Sequence, residues 1–65
     1  MREKQNRLLI TTYKNLLQIN TDLNQSMEDN MVARDLILEI RDKNIDTIQL
    51  IEKYIHKGVI KNDTN

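Results

Sequence analysis

At 65 residues the chain has room for one small domain. Ten Lys/Arg balance ten Asp/Glu, and there is one Gly with no Cys, Pro, Phe or Trp. Without cysteine there is neither a disulfide framework nor a thiolate metal site. No apolar run approaches the roughly 18 residues that a membrane span needs, and no basic segment ahead of an apolar stretch marks a secretory leader, so a cytoplasmic location is expected. The neutral charge balance argues against a generic nucleic-acid or membrane-surface binder.

A chain this short buries only about 60% of the surface its unfolded form exposes. Small folds make up the deficit with disulfides, a metal or association. The first is absent here and the second lacks ligands, which leaves association with a second copy or with another protein.

Helix is the expected element throughout. The only glycine is Gly58, and no proline breaks the residues before it. Leu9, Tyr13, Leu16, Asn20, Leu23 and Met27 recur at steps of four and three, with Thr12 and Ile19 beside them. This row predicts a first helix over about residues 3–26. The polar run Asn24-Gln25-Ser26 then interrupts the pattern. Ser26 with Asp29 three residues on is an acidic variant of the capping box, and Asp29-Asn30 is a second place for a turn. Ala33, Ile37, Ile40, Asn44, Thr47, Ile51 and Tyr54, flanked by Leu36, Ile48 and Ile55, repeat the same steps and predict a second helix over about 30–57. Gly58 suits the left-handed position just past a helix, with Val59 folding back onto Tyr54. Lys53, His56 and Lys57 lie in the last turn, where cations oppose the helix dipole. Residues 58–65 read as a polar tail.

Two helices of similar length joined by a short polar link form an antiparallel all-α hairpin, one domain over residues 1–65. The rival, a single continuous helix, needs an unbroken stripe through Asn24–Asn30, where the pattern is weak. Ile10 and Leu17 in the first helix, and Leu38 and Ile45 in the second, lie off the main rows. A hairpin covers one stripe per helix, so these residues are expected to stay in water, and pairing two hairpins into a four-helix bundle would bury them. Leu9, Tyr13, Leu16, Leu17, Leu23, Ile37, Ile40, Ile51 and Tyr54 are the candidate core or interface residues. Asn20 and Asn44 sit on the apolar rows. Each either fixes register from within the core or marks a wet edge of the row.

Charge is segregated along the hairpin. Arg2, Lys4, Arg7 and Lys14 face only Glu3 in residues 1–14, and Lys53, Lys57 and Lys61 gather at the other end of the chain. Asp22, Glu28, Asp29, Asp35, Glu39, Asp42 and Asp46 outnumber the bases nearer the turn. A homodimer with its turns at opposite ends would set basic ends beside acidic turns. Arg2, Lys4, Arg7, Lys14, Lys53 and Lys57 are also the candidate contacts for an acidic partner or for RNA or DNA.

No catalytic constellation is present, so the chain is read as non-enzymatic and without a cofactor. His56 has no His or Cys partner for a metal and fits a helix C-terminus. Glu39, Asp42 and Asp46 share a helical face but read as a solvated stripe. No calcium loop, Glu-x-x-His pair or Gly-rich phosphate loop occurs. Met27 and Met31 read as core filler near the turn. Asn62-Asp63-Thr64 matches a glycosylation acceptor but has no secretory leader to make it relevant.

The stretch Tyr13-Lys14-Asn15-Leu16-Leu17-Gln18-Ile19, with Ile40-Arg41-Asp42, Ile45 and Ile48, resembles FliT-type flagellar export chaperones. Met1-Arg2, Leu8-Leu9-Ile10 and Tyr13 resemble the opening of Sda-type inhibitors of sporulation histidine kinases. Both resemblances imply a bacterial helical hairpin or bundle that docks on another protein. The architecture alone is similar to that of Rop-type RNA-binding dimers, which keeps a small nucleic-acid-binding regulator as the alternative.

Overall fold

In the computed structural model the backbone of residues 1–26 and 31–62 is described, with side chains throughout those ranges except at 31 and 32. Among the described residues there are two helices, α1 (Glu3–Gln25) and α2 (Met31–His56). They pack on each other as an antiparallel pair measuring 43 × 18 × 17 Å. The length is what 26 residues at about 1.5 Å each require.

The pairing register is set by polar contacts spread along the seam. Asn6 meets Lys61, Tyr13 meets Glu52, Asn20 meets Asn44, and Asn24 meets Arg41. Between them the apolar core is thin. Ile48, Ile51 and Ile60 are buried, and Leu9, Leu16, Leu23, Ile37 and Ile55 are half-buried. Among the described residues no large side chain is sealed from water. Two cylinders touch only along a line, so a lone hairpin cannot enclose a side chain from every direction.

α1 ends differently from the expected capping box. Ser26 lies at its C-terminus, where the backbone N–H donates to Asp22 O and Leu23 O and the hydroxyl donates to Leu23 O at 3.0 Å. It therefore closes the first helix; the turn assigned to Asp29-Asn30, and the core-filling roles assigned to Met27 and to the Met31 side chain, lie outside what is described.

α2 ends as its glycine implies. Gly58 has φ +78°, its N–H donates to Ile55 O, and the Val59 N–H donates to Tyr54 O, each at 3.0 Å. This is the paired closure of a Schellman motif. The segment beyond is not simply a polar tail. Val59, expected to fold back onto Tyr54, lines an apolar groove beside it but is 46% exposed, whereas Ile60 turns inward and is only 4% exposed. Asn6 holds the segment in place: its Nδ2 donates to Lys61 O and its Oδ1 accepts from Lys61 N–H, both at 2.7 Å.

Candidate functional surface

The hairpin presents two unlike faces. One is laced by polar bridges. Tyr13 Oη donates to Glu52 Oε2 at 2.9 Å, and Arg41 donates to Asn24 Oδ1 at 3.3 Å and to Asp42 Oδ1 at 3.4 Å. The Tyr13 phenol is pushed above its ordinary value of 10.0, first because its proton is held by Glu52, then by burial and by the nearby negative charge. Ionising the phenol would break that bond and set two anions side by side. Along the centre of the seam, Asn20 is 9% exposed, donates to Arg41 O at 3.3 Å and accepts from Asn44 Nδ2 at 2.9 Å. Of the two sequence readings of these asparagines, the geometry matches the one in which they fix register.

The other face carries large apolar side chains in water. On α1 these are Leu8 and Ile19, in a row with Thr12 and Asn15. On α2 they are Leu36, Ile40, Leu50 and Tyr54, in a row with Thr47. Near the open end, Met1, Leu9, Leu50, Ile51, Tyr54 and Val59 line an apolar groove with Ile60 at its floor. Tyr54 has the Lys57 ammonium 5.3 Å from its ring centre.

This placement revises the expected division of α2. The predicted inward row ran through Ile40, Thr47 and Tyr54, yet these are exposed, while Ile48 is buried and Ile55 half-buried. The helix is rotated by part of a turn so that Asn44 can reach Asn20 and Arg41 can reach Asn24. The off-row residues change role with it: Ile10, Leu38 and Ile45, expected in water, are half-buried, and of that set only Leu17 stays exposed. Of the nine candidate core or interface residues, Ile51 is buried; Leu9, Tyr13, Leu16, Leu23 and Ile37 are half-buried; Leu17, Ile40 and Tyr54 are not core residues of the single chain.

Arg2, Lys4, Arg7, Lys14, Lys53 and Lys57 are all exposed. Arg7 is neutralised by Glu3 at 3.3 Å. Among the described residues no group of three or more His, Asp or Glu side chains could hold a metal ion, and no helix is long and apolar enough to cross a membrane.

The sequence reading missed Asn6 and Ile60. Ile60 had a signal, because an apolar residue just past a glycine stop commonly packs back on the helix. Asn6 had none, since nothing local distinguishes it from a solvated helix residue. Comparison with family models, with curated proteins and with solved structures found no match to this chain.

Proposed function

We propose that this chain is a small non-enzymatic regulatory or chaperone-like module that acts in the cytoplasm by helix-mediated protein–protein binding, and that it pairs into a four-helix bundle. The observation that carries the reading is the row of large apolar side chains left in water. Leu8 is 66% exposed, Leu36 59% and Leu50 55%. A contiguous patch of this kind is the usual mark of an interaction surface. The area is consistent with that. The chain exposes 5384 Å², where a globular monomer of 7.7 kDa would expose roughly 4,300 Å². The excess of roughly 1,000 Å² compares with the roughly 800 Å² that each partner loses in a standard interface. The resemblances to FliT-type and Sda-type proteins point the same way.

The test is in-cell cross-linking of the wild type against a Leu36→Glu/Leu50→Glu variant. Partners captured by the wild type and lost by the variant are expected. A captured set unchanged by the double substitution overturns the reading. The rival reading, RNA or DNA binding through the basic open end, predicts affinity that falls steeply with salt and is lost on changing Arg2, Lys4 and Arg7 to Ala.

A further inference from the structure

The exposed apolar face has a charged border whose pattern selects an occupant. Along the outer edge of α2, Asp35, Glu39, Lys53 and Lys57 fall within about 40° of one another on the helix. The two acids lie towards the turn and the two bases towards the open end. Their placement is symmetric about Asp46: Asp35 and Lys57 are each eleven residues from it, and Glu39 and Lys53 each seven. Within the chain these charges are barely used. The ion pairs among the described residues are Arg7–Glu3 and Arg41–Asp42, and Lys57 only overlies Tyr54.

We propose that the occupant of this face is a second copy of the same chain, seated with its turn at the opposite end, so that α2 lies antiparallel on α2 and the two-fold axis passes near Asp46. This rests on the protein-binding reading above and names its first partner. Rotation about that axis sets Asp35 against the second copy's Lys57 and Glu39 against the second copy's Lys53, twice each by symmetry. With the turns at the same end, acids would meet acids and bases would meet bases.

The apolar row interlocks in the same register. The second copy's Tyr54 enters between Leu36 and Ile40, and its Leu50 lies just beyond Ile40. Lys43, the one charge within the α2 row, comes within about one turn of the second copy's Asp46. The level of Asp46 on α2 corresponds to that of Ile19 on α1, given the Asn20–Asn44 and Tyr13–Glu52 pairs, so the two Ile19 side chains meet near the axis. The threonines in the rows do not obstruct this contact. Thr12 Oγ1 donates to Leu8 O at 2.9 Å and Thr47 Oγ1 to Lys43 O at 3.4 Å, which leaves their methyl groups to pack.

Sedimentation equilibrium at low and high salt tests the register. A Lys53→Glu/Lys57→Glu chain makes these four charges all acidic, and an Asp35→Lys/Glu39→Lys chain makes them all basic. Each is expected to weaken self-association by about tenfold or more at low salt, and by less at high salt. The chain carrying all four substitutions restores every antiparallel pair and is expected to return to wild-type affinity. All four substituted positions are exposed, and circular dichroism verifies that the helices persist. Double variants that associate as tightly as the wild type, or a fourfold variant as weak as the doubles, overturn the register. A wild type that stays monomeric overturns the second copy as occupant, while the cross-linking result above still decides the protein-binding reading separately.

Discussion

Asn20 is the point at which the fold is most exposed to a single change. Replacing it with Ala removes a hydrogen bond at 2.9 Å from Asn44 and a longer one at 3.3 Å to Arg41 O, in the most buried polar position of the seam. Each bond contributes about 0.5–1.5 kcal/mol net, with the long one at the low end. The truncation also leaves the Asn44 amide without its partner and a small void beside it. The expected loss is about 2 kcal/mol, a large share of what a domain this size possesses. Urea unfolding followed by circular dichroism reads it as a midpoint lowered by about 2 M, at a slope of about 1 kcal/mol/M. Chain concentration is held fixed, because any self-association would add to apparent stability. Asn44→Ala and the double variant complete a cycle whose coupling is expected near 1 kcal/mol. Changing both asparagines to Leu should retain or raise stability while loosening register, since the pair that specifies it is gone. An Asn20→Ala chain within about 0.5 kcal/mol of the wild type, or strictly additive single substitutions, refutes the register role.

Three further outcomes follow from local geometry. Asn6→Ala removes both bonds that hold the segment after α2 and uncovers Ile60; a loss of about 1 kcal/mol is expected, with amide exchange at Ile60 and Lys61 accelerating before the rest of the chain. Gly58→Ala should cost about 1 kcal/mol through backbone strain alone, because φ is +78° and an added Cβ would meet nothing within 4 Å; calorimetry showing no change would contradict the left-handed closure. The Tyr13 phenol is raised in the folded state, so its contribution is complete below pH 10 and is lost as pH rises through the elevated folded value. Stability measured above pH 10 should therefore fall more steeply in the wild type than in Tyr13→Phe, and identical alkaline slopes would exclude the Tyr13–Glu52 bond as the cause.

Much of this fold is legible in the residues. The absence of Pro, the single Gly58 and the step pattern from Leu9 to Leu23 define α1 because there one row is clearly more apolar than its neighbours. α2 is harder to read. Ile37, Ile40, Leu36, Ile45, Ile48, Ile51 and Ile55 span about half of its circumference, so hydrophobic spacing leaves its rotation open. The polar contacts of Asn44 and Arg41 across the seam set that rotation, and they send Ile40 and Tyr54 outward. Ser26 illustrates the same limit on a smaller scale. A serine in a polar link can start one helix or finish another, and its hydroxyl here accompanies the end of α1. The exposed apolar surface is legible in kind, as surplus apolar stripe, but not in place. Of Ile10, Leu17, Leu38 and Ile45, the residues expected to form it, only Leu17 stays exposed, while Leu8, Leu36 and Leu50 are more exposed still.

The most direct test of the account is solution mass by light scattering over a concentration series, with circular dichroism on the same samples, for the wild type and for Leu36→Glu/Leu50→Glu. The account predicts that the wild type moves from 7.7 kDa towards twice that mass as concentration rises, while the variant remains helical at the single-chain mass. A variant that associates as the wild type does, or a wild type that keeps the single-chain mass throughout, would contradict it.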